Sequence, residues 1–172
     1  MLDIQNLVRV HSIGNDLHDV KVEFNRDLKI DISDITVEGK QGEIINIPRW
    51  IADILHSAKH VEIKDEDMFS ELKQSIVKEK VQGEFDLSTL DDYFYIKLKS
   101  YMKRLSENDY DKVESMLNTL LRKRQGKIVH LADSSKLTPD ISQKLSIEER
   151  EFFNQIYKIS TKFSKKIVGD KK

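Results

Sequence analysis

Ile47-Pro48-Arg49-Trp50-Ile51-Ala52 is the stretch at which the chain passes from one pattern to another. Downstream, Trp50, Ile51, Ile54 and Leu55 recur at helical spacing. Pro48, with its fixed φ and missing N–H, suits a first helical turn and places the start of a helix there. Upstream, from Asp19 to Glu38, the residues alternate instead: Val20, Glu23 and Phe24, then Leu28-Lys29-Ile30-Asp31-Ile32, then Ile35-Thr36-Val37-Glu38. Period-two patterning rich in β-branched residues, broken at Asn25-Arg26 and Ser33-Asp34, reads as short antiparallel strands joined by tight turns. Gly39-Lys40-Gln41-Gly42 makes a further turn and His60-Val61-Glu62-Ile63 a further strand. Residues 1–63 thus read as a small β-rich domain with the Pro48–Trp50 helix inside it.

From 64 to 172 the period is helical throughout. Phe69, Leu72 and Ile76 form one apolar stripe, and acidic Asp65, Glu66 and Asp67 precede it where the helix dipole favours negative charge. Ser88, with Asp91 three residues on, reads as the cap of a second helix lined by Leu90, Phe94, Leu98, Tyr101 and Leu105. After a polar break at Ser106-Glu107-Asn108-Asp109, a third stripe runs through Val113, Leu117, Leu120 and Leu121 and resumes at Ile128 and Leu131. Ser146 and Glu149 form a capping box ahead of Phe152, Ile156, Ile159, Phe163 and Ile167, with a frayed basic tail expected from Lys165. An amphipathic helix is stabilised mainly by burying its apolar face, so four stripes imply a bundle. The fold class is therefore α+β: a small N-terminal antiparallel β-domain followed by a mainly α-helical bundle domain.

With 172 residues, 38% of them hydrophobic, the chain can fill one helical core and a small satellite. Its 29 basic and 30 acidic residues give a net charge of −1, so no global field draws it to nucleic acid or to an anionic membrane. The charge divides with the patterning: residues 1–47 carry 5 basic and 9 acidic groups (5 − 9 = −4), residues 48–172 carry 24 and 21 (24 − 21 = +3). Cysteine is absent, which excludes disulfides, thiolate metal sites and cysteine nucleophiles. No apolar run approaches the roughly 20 residues of a bilayer-spanning helix, and Met1-Leu2-Asp3-Ile4 lacks the start of a signal peptide, so a soluble protein without membrane contact is expected.

Motifs that would carry catalysis are missing. Gly126-Lys127-Ile128 fails as a phosphate loop, because Leu121 stands where glycine is required and Ile128 where a hydroxyl would bind magnesium. His56 and His60, four apart, could share a helix face, but Ser57-Ala58-Lys59 between them supplies no carboxylate, so ordinary surface histidines are expected and no metal. The carboxylate groups Asp65-Glu66-Asp67 and Asp91-Asp92 sit at expected helix starts, where the dipole accounts for them without acid–base chemistry. No catalytic residue and no cofactor is expected. Arg122-Lys123-Arg124, with Lys127 nearby, is the densest basic cluster and carries the alternative reading, a nucleic-acid-binding protein. It has no interleaved aromatics of the kind a single-strand binding face uses, so any DNA contact is weak. The pairs Tyr93-Phe94 and Phe152-Phe153 point about a quarter-turn apart on a helix. One member of each widens the apolar face beyond a single contact, which means either a wider core or an oligomer interface.

Ile47–Ala52 after a small β-module, the Leu87–Leu105 helix with its Tyr-Phe pair, Arg124 to Ala132, and Leu145-Ser146-Ile147-Glu148-Glu149-Arg150-Glu151-Phe152-Phe153 occur here in that order. Together they resemble the GINS family of DNA replication factors over residues 19 to 167. The β-domain comes first, which resembles the archaeal β-first subunit that pairs with a helical-first paralogue. The resemblance implies a non-catalytic scaffold in a 2:2 hetero-tetramer, acting at the replication fork in the nucleoid-containing cytoplasm. It further implies contact with the MCM helicase, which the complex activates, with a Cdc45-like or RecJ-like protein, and with primase. The candidate partner-binding residues are Trp50, Tyr93, Phe94, Arg122, Arg124, Phe152 and Phe153, aromatic or Arg side chains in which binding energy concentrates.

Overall fold

The computed structural model describes residues 4–32, 35–64 and 67–169. The Ser33-Asp34 turn and the Asp65-Glu66 pair lie outside the described residues. Two compact units make up the chain: Arg9–Asp67, and Met68–Lys172 together with Met1–Val8. The architecture is α+β, with antiparallel strands followed by helices.

Five strands form in the first unit: β1 (Asp19–Phe24), β2 (Leu28–Ile32), β3 (Ile35–Gly39), β4 (Ile44–Pro48) and β5 (Val61–Ile63). They make a three-stranded antiparallel sheet in the order β4-β1-β5 and a separate β2-β3 pair. Alternation along β1 sends Val22 and Phe24 inward, where they meet Val37, Ile47, Val61 and the buried face of helix α2 (Arg49–Ser57). Ile51, Ala52 and Leu55 supply that face. Pro48 is the last residue of β4 and the N-cap of α2 at φ −53°, one step before the helical turn that its sequence position suggests. The turn into β4 closes with Glu43 N–H donating to the Lys40 carbonyl at 2.9 Å, and Gly42 takes the left-handed φ of +78° that this bend demands. A helix that the sequence reading missed, α1 (Ile4–Leu17), precedes β1.

The second unit contains α3 (Met68–Val81), α4 (Phe94–Met102), α5 (Glu107–Ser134), α6 (Pro139–Ser142) and α7 (Ile147–Val168). Ser106 caps α5 by accepting from the Asp109 N–H, and the expected capping box of Ser146 and Glu149 opens α7. Two expectations are corrected. Ser88 is not a helix cap: α4 starts at Phe94, and the buried Ser88 hydroxyl donates instead to Glu79 Oε2 at 2.6 Å. The third stripe, through Val113 to Leu131, is one 28-residue helix as expected, since an interior Gly126 costs only about 1 kcal/mol against alanine and neighbouring packing outweighs it. Lys165 to Val168 are helical rather than frayed.

Two apolar clusters fill this unit. Met68, Leu72, Ile76, Leu90, Phe94, Leu98, Val113 and Leu120 join α3, α4 and the first half of α5. Leu87, Ile128, Ala132, Leu145 and Phe153 join the second half of α5 to α7.

Gly39 closes β3 with the Phe24 ring lying where a Cβ would stand. Because Phe24 is enclosed in the core, Gly39→Ala is expected to cost about 1–3 kcal/mol of stability. Trp50, the one tryptophan, lies in the same unit, so its fluorescence during urea unfolding should show a lower midpoint at unchanged slope.

Candidate functional site

Helix α7 presents one apolar stripe in two states. Phe152 and Ile156 pack half-buried against the cluster formed with α5. Ile159, Phe163 and Ile167 continue the same stripe at steps of three and four residues but are 66%, 67% and 71% exposed. For Phe163 and Ile167 the reason is length. The Ser160 hydroxyl donates to Asp133, one residue before α5 ends at Ser134, whereas α7 continues to Val168. About two turns of α7, roughly 12 Å at 1.5 Å per residue, therefore run on past its neighbour. Leaving three large apolar side chains two-thirds exposed forfeits roughly 1–2 kcal/mol each. A second stripe, Val10, Ile13 and Leu17 on α1, is 63%, 56% and 67% exposed.

The base of α7 is anchored by a buried ion cluster. Arg124 is fully enclosed, and all five of its N–H groups donate. Nε and one Nη2 proton reach Glu149 Oε1 and Oε2, each at 2.7 Å, a bidentate pair. Nη1 reaches Glu79 Oε2 at 2.7 Å and the Ser88 carbonyl at 2.8 Å, and Nη2 also reaches the Lys144 carbonyl at 2.9 Å. Lys127 Nζ lies 2.7 Å from Glu79 Oε1, off the line of a directed hydrogen bond, and donates to the Asp86 carbonyl at 2.8 Å. The Tyr95 hydroxyl donates to Glu149 Oε1 at 2.7 Å. Two carboxylates thus face two cations, and the charges balance.

The electrostatics follow from these contacts. Burial opposes ionisation of Glu79, but Lys127, the Ser88 hydroxyl and Arg124 outweigh it and hold the carboxyl below its usual range. Burial likewise works against the Arg124 charge, and the bidentate pair with Glu149 more than compensates, raising its pKa. Burial, reinforced by Glu149, pushes the Tyr95 phenol well up, so it stays a neutral donor.

The expected partner-binding residues divide by exposure. Phe94, Arg124 and Phe153 are fully buried inside the helical unit. Tyr93 and Phe152 are half-buried, and Arg122 is exposed. Trp50 packs half-buried against the core of the β unit. With Arg124 enclosed, the Arg122-Lys123-Arg124 trio reduces at the surface to Arg122 and Lys123. His56 and His60 do not share a helix face: α2 ends at Ser57, His56 Nδ1 lies 3.2 Å from the Val61 carbonyl, and Arg26 Nε donates to His60 Nδ1 at 2.8 Å. Asp91 accepts from the Tyr93 N–H and pairs with Lys97, while Asp92 pairs with Arg150. Among the described residues no helix is long and apolar enough to cross a membrane, and no group of three or more metal-ligating side chains occurs.

The Sld5 family model, which describes the GINS complex protein helical bundle domain, matches residues 53–168, well over half of the chain. No curated protein matches it.

Removing the guanidinium should be costly, because two buried carboxylates would then face each other beside a single lysine. Arg124→Met is expected to lose about 3–5 kcal/mol at pH 7, and Arg124→Lys, with fewer donors, also to destabilise. The folded-state pKa of Glu79 lies below its unfolded value, so its contribution is present at neutral pH and lost as pH falls through the folded value. Urea unfolding followed by circular dichroism across acidic pH should therefore show a flatter acid limb in Glu79→Gln than in the wild type.

Proposed function

The chain belongs to the GINS complex protein family, and on that footing we propose that it is a non-catalytic scaffold subunit that bridges and activates the MCM helicase in DNA replication. Its nearest partner in this reading is a paralogous GINS subunit with the helical domain first, in a 2:2 hetero-tetramer. A Cdc45-like or RecJ-like protein and primase are further contacts. Residues 1–63 and 64–172 serve as its two modules, and the helical module carries the subunit interface.

The observation that most supports this reading is the uncovered half of the α7 stripe. Ile159, Phe163 and Ile167 continue a face that the bundle already uses as core, and each is at least two-thirds exposed. A lone soluble chain gains nothing from displaying them, whereas a second subunit laid along α7 would bury all three and recover several kcal/mol. Among the half-buried candidates, Phe152 lies at the root of the stripe and Tyr93 just ahead of α4, positions from which each can widen such a contact. Assembly, rather than chemistry, is then what this chain contributes: binding energy that favours the active arrangement of a motor elsewhere.

Co-expression with a helical-first paralogue should yield a complex whose mass by size exclusion with light scattering equals two copies of each chain. Phe163→Asp with Ile167→Asp, both at exposed positions, should leave the circular dichroism spectrum unchanged and weaken association at least about tenfold. A chain that stays monomeric beside that partner would overturn the proposal.

A further inference from the structure

The flank of α7 beside the apolar stripe is as one-sided as the stripe itself. Lys158, Lys162, Lys165 and Lys166 are all exposed and lie within three turns of helix. At 100° per residue Lys158 and Lys165 point roughly 140–160° away from Phe163, Lys162 about 100° and Lys166 about 60°, so the lysines occupy the flank of α7 that adjoins the stripe at its Ile159 edge. No acidic residue occurs between Asn154 and Gly169, so this segment carries four positive charges in a chain whose net charge is −1. Lys165 and Lys166, in the last turn, also complement the helix dipole. Lys158 and Lys162 stand too far from the terminus for that explanation. Along the axis Lys162 stands about 6 Å above Lys158 and Lys165 about 4.5 Å above Lys162, and Tyr157 and Thr161 border the row.

We propose that this flank of α7 binds the phosphate backbone of nucleic acid while the adjoining apolar face docks a protein subunit. The proposal goes beyond the scaffold reading and does not depend on it. Nucleic acid is favoured over an acidic polypeptide because the lysine row contains no large apolar side chain. Tight protein contacts need such anchors, whereas polyanion binding is driven by the release of condensed counterions and needs only charge. A membrane surface is disfavoured because α7 would have to insert the stripe that the bundle itself begins to cover at Phe152 and Ile156. With up to four phosphates neutralised, the contact is modest, independent of sequence and steeply dependent on salt.

The test is fluorescence anisotropy of a labelled 20-base-pair duplex with the full-length chain between 50 and 200 mM salt. A plot of log affinity against log salt should have a slope of about −3 to −4, and Lys158→Gln, Lys162→Gln, Lys165→Gln and Lys166→Gln combined should weaken binding at least about tenfold and flatten the slope towards zero. The double variant Lys158→Gln with Lys162→Gln should remove about half of the slope. Phe163→Ser with Ile167→Ser should bind the duplex within about twofold of wild type, because those residues contribute no charge to the row. Binding that survives all four lysine substitutions, or no binding at 50 mM salt, overturns the proposal. So does competition by poly-glutamate as effective as that by DNA at equal charge, or stronger binding to phosphatidylserine vesicles that is lost with Phe163→Ser and Ile167→Ser.

Discussion

A buried guanidinium decides how the helical unit goes together. Arg124 is wholly enclosed, and an enclosed cation without partners costs several kcal/mol, so α5 can settle only where Glu79, Ser88, Lys144 and Glu149 arrive together. Apolar faces tolerate sliding by a turn; five directed N–H bonds do not. The contacts also fix direction. Phe69 lies near Lys112 and Glu79 near Arg124 and Lys127, so α3 runs parallel to α5. Glu149 meets Arg124 and Ser160 meets Asp133, so α7 does the same. Three long helices pointing one way need return connections, and Ser88, Lys144 and Ser146 lie on those returns. The ion cluster therefore fastens the connections as well as the helices.

Each carboxylate in the cluster sits differently with respect to its own helix. Glu149 is in the first turn of α7, where the dipole favours an anion and where it also completes the capping box. Glu79 is in the last turn of α3, where the dipole opposes an anion. Its lowered pKa must then come from Lys127, Ser88 and Arg124, which explains why a second cation stands beside the guanidinium on this side alone. Stability and electrostatic balance are the same fact here, since removing either cation leaves a carboxylate at the wrong end of a helix.

Much of the fold was legible because periodicity survives without tertiary context. The alternation of Val22 and Phe24, the break at Pro48, the Ser106 cap and the Ser146–Glu149 box all act through neighbours close in sequence. Ser88 misled for the converse reason: its local signal as a cap was genuine, but a carboxylate nine residues back and an arginine 36 residues on claimed it first. The ion cluster left a trace that could have been read, since Glu79 follows Leu72 and Ile76 on an apolar face, and Arg124 sits between Leu120 and Ile128 at steps of four. Charges placed on core stripes in two different helices suggest a buried pair. Helix α1 was readable too, from Val10, Ile13 and Leu17. Which part of the α7 stripe is covered could not be read, because coverage depends on where α5 ends in space rather than on any residue of α7.

Arg124 is buried, yet it bears on the surface that α7 displays. An α-helix is torsionally stiff, with each residue adding 100° and 1.5 Å, so fixing the rotation of α7 at Glu149 fixes the directions of Ile159, Phe163, Ile167 and of the lysines beside them. The bidentate pair supplies that fix in two planes at once, and Phe153, enclosed one turn further on, keeps it from relaxing. Past Ser160 nothing described in the chain touches the apolar stripe strongly enough to bury it, so the orientation of the overhang is inherited from its base. A partner docking on α7, as proposed, would therefore read a geometry set three to five turns away by a residue it never contacts. Loss of the guanidinium would weaken docking by rotating or loosening the face, without altering a single side chain on it.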